Sequence, residues 1–228
     1  MILTKDCKKE VQWWVDNMVT SHNVITRGQP SNTLTTDASQ NGWGAVYNDT
    51  STGGFWPDEK KSYHINYLEL LAVFVGLQTF FKTHYNTHLR ILTDNTTAIA
   101  VLNHMETSHS DPCNRLGKEI WECCIDRNIW LSAAHIPGVH NIKADLESRR
   151  TNDNTEWVLD RASLNNALSQ LSLRPNIDLF ASLLSNQFPL YVSFKPDPGA
   201  VALDAFSLNL RYLKFYAFRP FSVINAFL

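Results

Sequence analysis

With 228 residues, 44% of them hydrophobic and 18% charged, the chain has the balance of a globular protein and is long enough for one well-buried core plus a second, smaller module. Its longest apolar run, Leu70 to Leu77, is far too short to span a bilayer, and the amino-terminal residues lack the order of a signal peptide, so an intracellular address (cytoplasmic or nuclear) without a membrane partner is expected. A net charge of −2 gives no basic footprint, but adding four charges from acids neutralised by divalent cations leaves +2, so charge permits a polyanionic partner without indicating one.

In chain order, Val11-Gln12-Trp13-Trp14-Val15 reads as an amphipathic helical stretch, followed by a polar segment closing at Gly28-Gln29-Pro30. Residues 1–30 are thus a lead-in from a preceding domain, with Trp13 and Trp14 as packing anchors because no basic residues interleave them. Thr33 to Thr36 reads as a strand, Ser39-Gln40-Asn41-Gly42 as a turn and Gly44 to Tyr47 as the returning strand, which places Asp37 at the end of a central strand. Taken alone, Asp37 would accept hydrogen bonds from its own turn. Gly53-Gly54-Phe55-Trp56 suggests a third strand closed by Pro57.

A helix then opens near Asn66 and runs to about Tyr85, apolar on nearly every face and so deeply buried, with Glu69 as the exception. Asn66 as cap and Glu69 three residues on make a capping-box pattern; equally, a buried carboxylate needs a partner, and a metal is one. Leu89 to Thr93 is the next strand and Asn95 to about Asn103 the next helix, so Asp94 either caps that helix or faces a ligand from a strand's carboxyl end. Asp111-Pro112 opens another helix, and both residues are explained structurally. Trp130 to Ala134 is the last strand, His135 to Asn141 a loop, and Ile142 to Arg150 a closing helix carrying Asp145.

The four cysteines form no CxxC pair and read as reduced packing residues; His104, His109 and Cys113 lack the second ligand pair of a zinc site. The sequons at Asn48 and Asn95 carry no meaning without secretion.

Four acids therefore follow one another at ends of elements, in the order Asp37, Glu69, Asp94, Asp145. Thr36-Asp37-Ala38-Ser39 with Gly42-Trp43-Gly44, Glu69 in a buried first helix, Thr93-Asp94-Asn95, and His135 ten positions before Asp145 closely resemble the ribonuclease H domain of reverse transcriptases. The words His64-Ile65-Asn66-Tyr67-Leu68-Glu69-Leu70, Thr93-Asp94-Asn95-Thr96-Thr97-Ala98, His135-Ile136-Pro137-Gly138 and Ala144-Asp145-Leu146-Glu147-Ser148-Arg149 are similar to those of DIRS-type tyrosine-recombinase retrotransposons. The resemblance covers roughly residues 5 to 150.

It implies an α/β fold, with a ribonuclease H-like five-stranded mixed sheet of order 3-2-1-4-5 flanked by helices in residues 31–150. It also implies that residues 1–30 come from the connection region of a reverse transcriptase, whose polymerase domain would be a partner in the same polyprotein. The implied activity is endonucleolytic hydrolysis of the RNA strand of RNA–DNA hybrids with two magnesium ions, manganese being a possible substitute; such ions stand about 3.5–4 Å apart and need oxygen ligands. By the family pattern Asp37 bridges the two ions, Asp145 completes the site of the ion that activates water, and Glu69 and Asp94 hold the ion that stabilises the leaving oxygen. His135 matches the family histidine that assists proton transfer or product release; packing beside Pro137 is its structural alternative. Gly42 and Gly44 allow a close backbone approach, for substrate or for turn geometry, and Asn95 with Thr96 are placed to read ribose 2′-hydroxyls.

Beyond Arg150 comes a polar linker, Thr151 to Thr155, then a helical stretch from Trp157 to Leu173, a strand and turn at Asn176 to Ser182, an extended segment from Tyr191 to Pro198, and a short strand at Phe215 to Phe218. Ile177-Asp178-Leu179-Phe180-Ala181-Ser182, Asn186 and Asp204-Ala205-Phe206 resemble the start of a Dam-type DNA adenine methyltransferase. Where that family holds adenine with an Asn/Asp-Pro-Pro-Tyr motif, this chain has Phe218-Arg219-Pro220-Phe221, which cannot accept the amino hydrogen bond. Residues 151–228 are therefore expected to be a truncated, inactive Dam-like remnant, a small partial α/β tail.

Two readings of function stand from different classes. One is a retroelement ribonuclease H; the alternative is a catalytically inactive retroelement-derived fragment that binds nucleic acid or a protein. An integrase or transposase fits less well, because those proteins place their glutamate last and here Glu69 comes second.

Overall fold

A computed structural model describes residues 4–20, 28–105, 110–150 and 158–218. His109, Trp157, the linker at 151–155 and the sequence Arg219-Pro220-Phe221 lie outside the described residues.

Five strands, β1 (Asn32–Ala38), β2 (Gly42–Tyr47), β3 (Thr50–Phe55), β4 (Thr87–Thr93) and β5 (Ile129–His135), form a sheet of order β3-β2-β1-β4-β5. The first three run as an antiparallel meander, whereas β4 pairs parallel with β1 and β5 parallel with β4. This is the ribonuclease H-like topology that the resemblance implies. The β2–β3 hairpin turns on Asn48 and Asn48's neighbour Asp49, both at positive φ (47° and 65°), the conformation of a two-residue turn whose twist matches the strands.

Helices α2 (Asp58–Lys61), α3 (Ile65–Phe80), α4 (Thr96–His104), α5 (Asp111–Ile125) and α6 (Ile142–Ser148) flank the sheet. Helix α3 is apolar all round because it is covered on nearly all sides: Leu68, Leu70, Ala72, Val73 and Leu77 are inaccessible to solvent. An added Cβ at Gly76 would meet Leu34, Thr36 and Ala45, so α3 lies on the sheet face carrying these side chains. Strand alternation sends Asp37 and Gly44 to the opposite face, where α6 packs.

Several ends differ from the sequence expectation. Helix α3 is capped by His64, whose Nδ1 accepts from the Asn66 amide at 3.2 Å, so Asn66 and Glu69 do not form a capping box. Asn95 caps α4 by accepting from the Ala98 amide at 2.9 Å, which frees Asp94 from that task. Ser110 caps α5 and leaves Asp111 as its first residue, ion-paired with Arg115 at 2.9 Å.

Before the sheet, α1 (Lys5–Asn17) carries Trp13 and Trp14, which pack edge-on against each other and stay more than half exposed. They belong to neither buried cluster among the described residues, so they do not anchor the core as expected. After the sheet, α7 (Arg161–Gln170) starts at an Asp160 cap, and β6 (Ile177–Asp178), β7 (Leu190–Ser193), β8 (Ala202–Leu203) and β9 (Phe215–Tyr216) form a parallel sheet of order β8-β7-β6-β9. Among the described residues its core is Ile177, Leu179, Val192 and Ala205 with a few flanking apolar groups. This tail touches the larger sheet at its edge, where the Thr52 hydroxyl donates to the Pro196 carbonyl at 2.6 Å and Lys195 approaches Glu147 at 3.8 Å.

Candidate active site

Because β1 and β4 pair in parallel with Thr35 opposite Leu92, counting two residues on brings Asp37 and Asp94 to the same level at the carboxyl ends of adjacent strands. Glu69 reaches the same place from the second turn of α3. One carboxylate oxygen from each of Asp37, Glu69 and Asp94 lies within 4.8 Å of the others, with Asp37 and Glu69 buried and Asp94 exposed. The fourth expected acid, Asp145, lies outside this cluster: its carboxylate is engaged by the Arg149 guanidinium one helical turn on, although its charge is felt at Asp37.

Burial dominates the electrostatics. It pushes Glu69 up to about 8, with the charges of Asp37 and Asp94 adding to the rise and hydrogen bonds from the Ala38 amide and the Thr93 hydroxyl opposing it. Asp37 rises to about 6 for the same first reason, opposed by the Ser148 hydroxyl. Glu69 thus keeps its proton near neutrality and Asp37 keeps its own into the mildly acidic range, and a bound cation would displace both. The donor set consists of carboxylate oxygens with no thiolate or imidazole among them, which suits magnesium or manganese.

Helix α6 grips Asp37 from both ends. Asn141, just before the helix, donates to Asp37 Oδ1 at 3.3 Å and to the Thr36 carbonyl at 3.1 Å, while Ser148 donates to Asp37 Oδ2 at 2.5 Å. Both residues are buried, and Asn141 Oδ1 and Thr36 Oγ1 have no hydrogen-bond partner among the described residues. Neither residue was singled out from the sequence, although Asn141, Asp145 and Ser148 are spaced by four and three, the signature of one helix face. Removing the Ser148 hydroxyl should expose its value: Ser148→Ala is expected to cost about 1–3 kcal/mol, the penalty for leaving a buried acceptor unpaired, as read from urea denaturation.

Other expected site residues divide. His135 is the last residue of β5, exposed and in register with Thr93, beside Asp94. The following loop closes in as well, since a Cβ on Gly138 would come to 3.4 Å from Asp94 Oδ2. Asn95 is tied down twice, as helix cap and by donating to Asn66 Oδ1 at 3.0 Å, whereas Thr96 at the first helical position is exposed.

At Gly42 and Gly44 the close approach is real, but the approaching backbone belongs to α6 and, at Gly42, also to the neighbouring strand β3. An added Cβ on Gly44 would stand 2.1 Å from the Ala144 carbonyl oxygen, and one on Gly42 would stand 2.6 Å from the Gly54 carbonyl and 3.1 Å from that of Ser148. Both glycines are buried, so they seat the helix that carries Asn141, Asp145 and Ser148 and do not face substrate. Gly44→Ala should accordingly lower stability by about 1–3 kcal/mol or more, as overpacking against rigid backbone does, with a lowered urea midpoint as the readout.

No family model and no curated protein matches the chain. Among solved structures it is similar to RNase H1 of the halophilic archaeon Halobacterium salinarum NRC-1 (16% identity over 51% of this chain and 92% of that one, TM-score 0.42). It is also similar to LC11-RNase H1 in complex with an RNA/DNA hybrid (17%, 51% and 93%, 0.43). A third is the N-terminal RNase H domain of a Mycobacterium tuberculosis protein fused to maltose binding protein (14%, 62% and 99%, 0.39). The fold assignment stands on strand order and register, not on these scores.

Proposed function

We propose that the chain is a metal-dependent ribonuclease H that hydrolyses the RNA strand of RNA–DNA hybrids during retroelement reverse transcription. The observation that carries this reading is the gathering of Asp37, Glu69 and Asp94 within 4.8 Å at the carboxyl ends of β1 and β4. Asp37, Glu69 and Asp94 would hold divalent cations there, which when bound would supply an activated water and stabilise charge on the leaving oxygen. In this reading Asp37 is the shared ligand, which the cluster with Glu69 and Asp94 supports, and Asp145, whose charge is felt at Asp37, joins from the α6 side once it leaves Arg149. Asn141 and Ser148 fix its carboxylate so that it need not reorganise on binding. His135 and Gly138 flank the exposed side of Asp94, where a proton can be taken up or released. Asn95, held by Asn66, presents Thr96 at the rim for contact with the ribose edge of a hybrid. The motif resemblance supports a linked polymerase domain as the partner that supplies further grip on the nucleic acid.

A fragment that binds nucleic acid without cutting is the competing reading, favoured by the engagement of Asp145 with Arg149. One assay separates them. A labelled RNA–DNA hybrid, duplex DNA and single-stranded RNA are incubated with the protein and magnesium, and binding is measured in parallel. Cleavage confined to the RNA strand of the hybrid is expected. Binding with no cleavage in magnesium or manganese would sink the enzyme reading.

A further inference from the structure

Near the acidic cluster stands a cation that the proposed reaction does not use. Arg149, at the end of α6, contacts Asp145 through Nε and is largely exposed. Its charge is also felt at Asp37 and Asp94, the former favouring ionisation of an otherwise disfavoured carboxylate. An ordinary exposed ion pair four residues apart on a helix is worth only about 0.3–0.5 kcal/mol, so this contact is readily exchanged. We propose that Arg149 is a built-in counter-ion: in the cation-free protein it holds Asp145 away from the cluster, and a divalent cation competes with it for that carboxylate. The inference rests on the reading of the cluster as a cation site.

The geometry gives the reason for the arrangement. Ser148 and Arg149 are consecutive, and the first donates to Asp37 while the second engages Asp145, so the last turn of α6 steadies both carboxylates while no cation is present. Ser148 contributes only a neutral hydrogen bond, which can persist beside a cation. A divalent ion on Asp145 repels the guanidinium and draws charge from the shared carboxylate, which weakens the Arg149 contact and favours its swinging out. The exposure of Arg149 leaves it room to do so.

The test is magnesium binding to the full chain by titration calorimetry, comparing the parent with Arg149→Ala, Arg149→Gln, Asp145→Asn and the Asp145→Asn/Arg149→Ala pair. Removing the competitor should tighten magnesium binding roughly two- to five-fold in either Arg149 variant. In the Asp145→Asn background the same removal should have a clearly smaller effect, because the contested carboxylate is gone. The Arg149 Nε–H resonance of the parent should move toward that of a free arginine as magnesium is added. Unchanged or weaker binding in both Arg149 variants would overturn the proposal while leaving the cation site standing, as would equal tightening in the Asp145→Asn background, which marks a remote charge. A parent that neither binds magnesium nor shifts that resonance overturns the proposal together with the cation site.

Discussion

Asp94→Asn is expected to abolish hybrid cleavage, by on the order of 10³-fold or more, while leaving the fold intact. The change removes a charged oxygen ligand at the exposed side of the cluster and disturbs no packing, since Asp94 lies at the surface beyond the end of β4 and caps nothing. Stability should hold or rise by about 1 kcal/mol or less, because the Asp94 charge is one of the influences that oppose ionisation of Asp37 and Glu69. Loss of activity with a gain in melting temperature is a combination that a purely structural aspartate cannot give. Activity within tenfold of the parent would remove Asp94 from the site.

His135→Ala should behave differently. Its exposed position at the end of β5 makes it available for proton transfer without making it a ligand, so turnover should slow by up to ~10²-fold while magnesium still raises the melting temperature. Equal loss of turnover and of the magnesium response would place His135 among the ligands.

Much of this fold was legible because its signals are local. Alternation and turn residues locate the β1–β2 hairpin, and Glu69 stands out as the one acid in an apolar helix. What the sequence could not convey depends on which neighbour fills a given space. Glycines at 42 and 44 announce a close approach, but helix and substrate leave the same mark, and only the packing of α6 decides between them. Asn66 with Glu69 satisfies the spacing of a capping box, yet His64 starts the helix two residues earlier than Asn66 allows, and Glu69 turns inward to the strand ends. The pairing of Asp145 with Arg149 was open to view as a four-residue spacing. Its consequence was not, because it depends on how near α6 brings that guanidinium to Asp37.

The cation-free protein is expected to lose stability as pH rises from about 5 to 8.5, against the usual trend for a carboxylate-rich protein. In the native state Glu69 holds its proton up to about 8, whereas in the unfolded chain it releases it near 4.5. Asp37 does the same between 3.8 and about 6. A group whose native affinity for protons exceeds its unfolded affinity stabilises the fold fully below the unfolded value, and the contribution is lost as pH climbs through the native one. Across that window the native state binds more protons than the unfolded state, so unfolding becomes easier with each step in pH. At ~1.4 kcal/mol per tenfold change in proton affinity, the loss is on the order of 3–5 kcal/mol, with most of it falling between pH 5 and 8. Magnesium should reverse the trend. Binding must displace the protons of Glu69 and Asp37, so its affinity should rise with pH, and the increment in melting temperature at saturating metal should be larger at pH 8 than at pH 6. Glu69→Gln keeps the shape and hydrogen-bonding capacity but cannot ionise, and should flatten the pH profile of the cation-free protein while removing most of the magnesium response. Urea unfolding of parent and Glu69→Gln at pH 5 to 8.5, with and without magnesium, makes the comparison. A parent whose stability climbs over this range without metal would show that Glu69 is ionised in the native state, and that the cluster is not the buried, charge-deficient site described by its geometry.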